Sequence, residues 1–271
     1  MQRQRWFEIH DSPWFPGYLR DLVTESLEAV WNGSGTYRPI ARRLREALAA
    51  TGATSVVDLC SGGGGPWPGL RDEVADGKPL SIVLTDRYPS ARLLAALNRK
   101  AATEELAGPG RGKMIAQMEA VDARAVPRQL RGFRTVFSAF HHFDPEAARA
   151  ILADAFSRRE GIAIFEGARC DAWTLAAVAA VPFLGLREAA RARPLRFSRL
   201  FWTWIVPVVP SVLLIDGILS CLRSYSLDDL RELTAGLSAP DYAWQVGDER
   251  GCRVPIRYLI GTPLRAGNLA A

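Results

Sequence analysis

Four consecutive glycines, Gly62 to Gly65, follow the apolar stretch Val56-Val57-Asp58-Leu59 and the pair Cys60-Ser61. A glycine run removes every Cβ and tolerates positive φ, so a ligand can lie directly against main-chain N–H groups; a flexible turn is the plainer reading of the same run. Asp58 places a carboxylate just ahead of that loop, and two further acids, Asp86 and Asp122, close later apolar stretches. Taken alone, Asp86 reads equally well as a helix cap. The string Phe140-His141-His142-Phe143 adds two imidazoles, whose ordinary pKa suits them to accept a proton near neutral pH. Each reads equally as a neutral histidine that only shapes a pocket wall.

The elements that must hold these residues alternate in type. Residues 1–50 read as a helical lead-in, with Trp6, Trp14 and Phe15 ahead of an amphipathic run from Tyr18 to Trp31 and a second helix from Pro39 to Ala50. Strands follow at 55–59, 81–85, 114–120, 135–140 and 162–166, with helices near Leu70, at 91–105 and at 145–156. Short apolar strands alternating with helices predict a parallel sheet covered on both faces. A helix at 227–237 and two strands at 242–246 and 255–260 complete the pattern, the pair spaced to form an antiparallel hairpin at one sheet edge. The expected fold is therefore α/β, a doubly wound, mostly parallel seven-stranded sheet. It carries an N-terminal helical cap and a helical apolar insert after strand five.

Composition bounds the rest. With 271 residues, 48% hydrophobic and 23% charged, the chain is an ordinary globular one, and disorder or a disulfide-stapled miniprotein is excluded. Cys60, Cys170, Cys221 and Cys252 stand far apart, and His10, His141 and His142 have no zinc-ligand spacing, so no metal is expected and the thiols read as reduced. Arg3, Arg5, Glu8, Asp11 and Arg20 interrupt any apolar signal segment, which points to a cytoplasmic protein. The net charge of +5 gathers mainly in Arg187, Arg191, Arg193, Arg196 and Arg199, against Glu188. That stretch should meet an anionic partner or stand as a solvated loop.

Taken in series, these motifs make residues 54–168 resemble the class I S-adenosylmethionine-dependent methyltransferases of small-molecule type, a Rossmann-like family whose glycine motif is written D-x-G-x-G-x-G. The resemblance implies S-adenosylmethionine as cofactor. It places Asp58 and the loop Cys60, Ser61, Gly62, Gly63 and Gly64 at the methionine part, Asp86 with Arg87 at the ribose, and Asp122 with Ala123 at the adenine. Ser138 joins these cofactor-binding residues, and Arg38 is set at the cofactor carboxylate, a surface salt bridge being its alternative. Cys60 departs from the family's usual first glycine. A nicotinamide enzyme would instead close a G-x-G-x-x-G fingerprint onto a helix, whereas Pro66-Trp67-Pro68 follow the glycines here.

In that fold the loop after strand four lies beside the transferred methyl, so the resemblance makes His141 and His142 the catalytic candidates. Phe140, Phe143, Trp14, Trp202, Asp216 and Arg223 would form the substrate pocket, with an Asp216–Arg223 pair as the structural alternative. Methyl transfer asks little more than alignment and exclusion of water, which can supply roughly 7–11 kcal/mol. The absence of an N-P-P-Y or D-P-P-Y string disfavours a nucleic-acid partner and favours a small, substantially apolar acceptor. A protein of this fold that has lost catalysis and serves as a binding or scaffold module is the rival.

Two strongly apolar runs, 172–186 and 201–219, flank the arginines. The first falls short of the roughly 20 residues of a bilayer span, and the second contains Pro207, Pro210 and Asp216. A two-span hairpin would also put the arginines outside, against the positive-inside rule. Three readings stay open: a lid over an apolar acceptor, a patch in peripheral contact with anionic lipid, and a homodimer face. The expected units are a cap at 1–50, a cofactor-binding core at 51–170, an insert at 171–226 and closing elements at 227–271.

Overall fold

The computed structural model describes residues 7–107, 112–192, 195–250 and 254–264. Arg3, Arg5, Trp6, Arg193 and Cys252 lie outside them. The chain opens with α1 (Gly17–Ser34) and α2 (Ala41–Thr51), each stopped by a glycine in the left-handed conformation, Gly35 and Gly52. The alternating part then runs β1 (Ser55–Leu59), α3 (Trp67–Ala75), β2 (Ser81–Leu84), α4 (Ala91–Ala107), β3 (Met114–Ala116), β4 (Phe133–Phe137), α5 (Pro145–Ser157) and β5 (Ile162–Glu166). The insert contributes α6 (Ala172–Arg191), α7 (Phe197–Leu200) and α8 (Val208–Arg223). The chain closes with α9 (Leu227–Thr234), β6 (Tyr242–Glu249) and β7 (Ile256–Pro263).

The seven described strands form one sheet in the order β3-β2-β1-β4-β5-β7-β6, with β7 antiparallel to both β5 and β6 and the other pairs parallel. Every residue of β4 and β5 is buried, as mid-sheet strands covered on both faces must be. One core layer packs Ile40, Leu44, Trp67, Leu70 and Phe165 on one face, and another packs Ile151, Leu152, Ile164 and Leu230 on the other. A fully buried aliphatic side chain contributes about 1.5–3 kcal/mol, so these two layers carry the fold.

Strand boundaries differ from expectation in five strands: β2 stops at Leu84 rather than residue 85, β6 and β7 run three residues further than expected, to Glu249 and Pro263, with β7 starting one residue late, and β3 and β4 differ as well. β3 ends at Ala116 rather than residue 120, because β2 pairs with it only from Ile82 to Leu84 and offers no partner further on. β4 begins two residues early because Arg134, fully buried, is neutralised by Asp154 at 2.7 Å and Glu160 at 2.6 Å. It ends at Phe137, where Ser138 turns to φ 43° and a short helical turn over Phe140–His142 begins.

The cap and the insert share a third core: Phe15, Leu19, Leu22 and Val23 interlock with Val209, Val212 and Leu213 of α8. Helix α6 packs on both α1 and α8. At 20 residues with mean hydropathy 1.2 it is long and apolar enough to cross a membrane, with 22% of that stretch buried, while residues 197–223 are broken by a 64° bend. Pro207 accounts for that break.

Candidate functional site

The carboxyl ends of β1 and β2 place the glycine loop against two acids. After Leu59 the chain enters the left-handed region at Cys60, φ 57°, a non-glycine residue held there at a strain of roughly 1 kcal/mol. Burial pushes the Cys60 thiol well above its usual range. Ser61 N–H donates to the Thr85 carbonyl at 2.9 Å, and Gly62 N–H donates to the Asp86 carboxylate at 2.9 Å. The same carboxylate accepts from Tyr88 N–H at 2.8 Å, so Asp86 both holds the glycine loop and caps its own turn. Val121 N–H donates to the Asp86 carbonyl at 2.8 Å, which sets Asp86 and Asp122 side by side.

Asp58 sits beneath the loop rather than on its open side. It is 1% exposed and accepts from the Thr135 hydroxyl of β4 at 2.5 Å. Burial raises its pKa to about 7 against that hydrogen bond. Above the loop lies a residue the sequence reading missed, Glu28 of α1, whose carboxylate accepts from Gly65 N–H at 3.3 Å. A Cβ at Gly63 would stand 2.6 Å from Glu28 Oε1, so the carboxylate could approach this closely only beside glycine or after shifting. Burial pushes the Glu28 carboxyl up to about 8, against the hydrogen bonds from the Gly65 and Gly63 amides. Ser61 Oγ is buried with no hydrogen-bond partner among the described residues.

Other expected cofactor contacts resolve differently. Asp122 is gripped by Arg124, whose Nε, Nη2 and backbone N–H donate to its carboxylate at 2.9, 2.5 and 2.9 Å and hold its pKa at about 2, with exposed Arg87 at 3.9 Å. Ala123 is 3% exposed within the core, so it backs the Asp122 turn instead of facing a ligand. Ser138 Oγ accepts from Gly167 N–H at 3.2 Å and bonds the Tyr37 hydroxyl. Arg38 makes the surface salt bridge, to Glu73 at 3.2 Å.

The histidines converge although their spacing along the chain did not suggest it. His141 is buried, its Nδ1 2.6 Å from Glu166 Oε2 at the end of β5 and its Nε2 3.3 Å from Glu8 Oε1. His142 places Nδ1 2.6 Å from Asp11 Oδ2 and Nε2 3.7 Å from Glu8 Oε2. His10 Nδ1 lies 2.9 Å from Asp216 Oδ2 and 3.8 Å from Glu8 Oε2. Burial alone would lower the His141 pKa, but Glu166 and Glu8 outweigh it and hold it at about 10. Conversely, burial would raise Glu8, yet His142, His141 and His10 bring it down to about 2. A proton held that firmly makes His141 a poor base, and both rings turn Nε2 toward Glu8; the expected general-base role is corrected accordingly.

The remaining pocket candidates scatter. Phe140 is fully buried against Tyr225 and Phe143 in the core, so it supports the loop and does not line a cavity. Phe143 is half-buried, its carbonyl accepting from the Tyr225 hydroxyl at 2.8 Å. Trp14 is exposed on the surface, and Trp202 packs against Tyr18 and Phe201 beside the third core. Asp216 does not pair with Arg223: it accepts from Ile9 N–H at 2.7 Å and His10 N–H at 3.1 Å, pinning the N-terminal segment to α8. Arg223 donates to the His142 carbonyl at 2.8 Å and stands 3.7 Å from Glu8. The arginine stretch finds its anions within this chain, Arg196 on Glu25 at 2.7 Å and Arg187 on Glu188 at 2.8 Å.

Glu8, Glu28, Thr135 and Glu166 are the residues sequence reading missed. Only Glu166 carried a signal, a charge ending the apolar run Ile162-Ala163-Ile164-Phe165. Glu8 and Glu28 stand in segments whose polarity reads as solvent-facing helix and lead-in.

Neither a protein-family model nor a curated protein matches the sequence. Solved structures do resemble the fold. The plantazolicin methyltransferase BpumL with a triazolic desmethylPZN analog and SAH superposes with TM-score 0.53 at 9% identity, over 91% of this chain and 98% of that one. Its complex with SAH gives TM-score 0.51 at 10% identity over the same shares. A Nostoc punctiforme protein described as an O-methyltransferase gives 0.51 at 13% identity, over 94% of this chain but 63% of that one. Strand order, glycine loop and strand-end acids agree with that likeness: the chain has the seven-stranded Rossmann-like fold of the class I S-adenosylmethionine-dependent methyltransferases.

Proposed function

We propose that the protein is an S-adenosylmethionine-dependent methyltransferase acting on a small, substantially apolar acceptor at an O, N or C atom. One observation carries the reading. At the carboxyl edge of the sheet a loop of four glycines, its Gly63 pressed by the Glu28 carboxylate, holds the Ser61 hydroxyl buried without a hydrogen-bond partner among the described residues, with Asp86 and Asp122 alongside. These groups fit the cofactor: loop amides and Ser61 would hold the methionine part, Asp86 the ribose and the Asp122 turn the adenine. The Glu28 carboxyl above the loop, raised by burial, would also suit a cationic sulfonium or ammonium.

The cofactor, when bound, supplies a methyl on an already activated sulfonium. What the chain must add is alignment and exclusion of water. The insert supports an apolar acceptor, since Phe183, Phe197, Trp204 and Ile205 are all exposed there. The internal partners of Arg187 and Arg196 weigh toward a lid and away from lipid headgroups.

Calorimetry with S-adenosylhomocysteine should show one site per chain, and release of S-adenosylhomocysteine from S-adenosylmethionine with a panel of phenols and quinones should identify the acceptor. Absence of heat with either cofactor form, beside tight binding of a nicotinamide dinucleotide, would overturn the assignment. Cofactor binding without turnover on any acceptor would favour the binding-module rival.

A further inference from the structure

All three histidines of the chain and four carboxylates, Glu8, Asp11, Glu166 and Asp216, meet in one cluster beneath α8. We propose that Glu8, His141 and His142 form a binding site for a divalent first-row transition metal, of which zinc is the working probe. Metal binding at this place does not depend on the methyltransferase reading.

The two sides of each imidazole differ in a way that a plain hydrogen-bonded cluster does not require. On the Nδ1 side, His141 and His142 each meet a carboxylate at 2.6 Å, Glu166 and Asp11, as tight charge-assisted hydrogen bonds. On the Nε2 side both meet Glu8 at longer range, 3.3 and 3.7 Å. Such bonds are normally about 2.7–2.9 Å, whereas nitrogen and oxygen donors about 2.0–2.1 Å from a tetrahedral zinc stand roughly 3.4 Å apart. One ring nitrogen from each imidazole and one Glu8 oxygen all lie within 4.8 Å of one another.

The outer hydrogen bonds match what metal-bound histidine needs. A carboxylate on Nδ1 fixes the tautomer, orients the ring and leaves the Nε2 lone pair for the ion, and Glu166 and Asp11 do this for the two rings separately. Ser220 donates to Glu8 Oε1 at 3.0 Å and steadies the third donor. A bound ion would take the place of the protons that the imidazoles share with these carboxylates; the other cation beside Glu8 among the described residues is Arg223, whose Nη1 is 3.7 Å from Glu8 Oε1. His10 lies beside the same carboxylate but is tied to Asp216, so it flanks the donor set.

Two imidazoles and one carboxylate suit zinc, iron or cobalt better than magnesium or calcium, which prefer all-oxygen sets. Glu8 and His141 are each 2% exposed, while His142 is half-open, leaving a coordination position on its side for an oxygen donor.

Chelator-stripped full-length protein titrated with zinc chloride alone should take up one equivalent that survives desalting, read by calorimetry and elemental analysis. Cobalt substituted there should show the visible absorption of a low-coordinate site. Glu8→Gln and His142→Ala should each weaken uptake by at least tenfold, Asp11→Asn by about 10–100-fold, and surface Glu46→Gln should leave it unchanged. Circular dichroism identifies any variant that fails to fold, and wild-type stoichiometry with the cobalt spectrum then decides. Uptake far below one equivalent in wild type, or equal uptake by folded Glu8→Gln and His142→Ala, would overturn the site. S-adenosylhomocysteine binding by the stripped protein, measured in parallel, tests the methyltransferase reading separately.

Discussion

Asp58 under the glycine loop and Glu8 under the insert are equally hidden, at 1% and 2% exposure, yet their acidities move in opposite directions. Asp58 rises to about 7 because burial is opposed by little more than the Thr135 hydroxyl. Glu8 falls to about 2 because three imidazoles surround it. Burial therefore does not decide the charge of an acid here; the counter-charge does. The glycine-loop region buries its acids with hydroxyl and amide partners and no ion pair among the described residues. The histidine region has built its counter-ions from side chains and serves as a clamp joining residues 8–11, the β4 loop, the end of β5 and α8.

The sharpest way to break this contrast is to neutralise both acids. Glu8→Gln should lower unfolding stability by about 3–5 kcal/mol, since it strips one partner from a buried ionic cluster. Asp58→Asn, tested at pH 6 where that carboxyl is still mostly protonated, should cost on the order of 1 kcal/mol or less. Urea titrations giving equal losses would remove the distinction between the regions.

A middle-sized effect tests the ligand side alone. Asp86→Ala should weaken S-adenosylhomocysteine binding by about 1–3 kcal/mol through lost charge-assisted hydrogen bonds. Unfolding should change less, because only Gly62 and Tyr88 amides lose a partner and Tyr88 is exposed. An unchanged dissociation constant would return Asp86 to a purely capping role.

The smallest effect concerns Glu28 and pH. With its folded pKa raised from 4.5 to about 8, the folded state keeps a proton that the unfolded chain releases. The associated stability is fully present below pH 4.5 and is lost as pH climbs through about 8. Glu28→Gln has no such loss, so it should gain on the order of 1–2 kcal/mol over wild type between pH 6.5 and 8. A difference independent of pH would show that Glu28 stays ionised against the glycine loop.

Much of the fold was legible because it rests on contiguous signals. Apolar runs of four or five residues bounded by turns marked the strands, and amphipathic runs marked the two opening helices. The errors arose where a tertiary partner overrode local composition: Arg134 entered β4 once Asp154 and Glu160 neutralised it, and β3 stopped where β2 ran out. The insert was readable as helical, but its alliance with α1 was not.

The sequence by itself determined the order of elements, the glycine loop and the acids at the ends of β1 and β2, since each depends on neighbours within a few residues, whereas Asp122 stands six residues beyond β3. Only the tertiary structure decided which charges meet. Asp216 reaches back 207 residues to Ile9 N–H, Glu8 meets both histidines of the β4 loop, and Arg196 finds Glu25 in α1. Hydrophobic periodicity is a local property of a chain, whereas the pairing of buried charges depends on which distant segments the packed layers bring within a few ångströms.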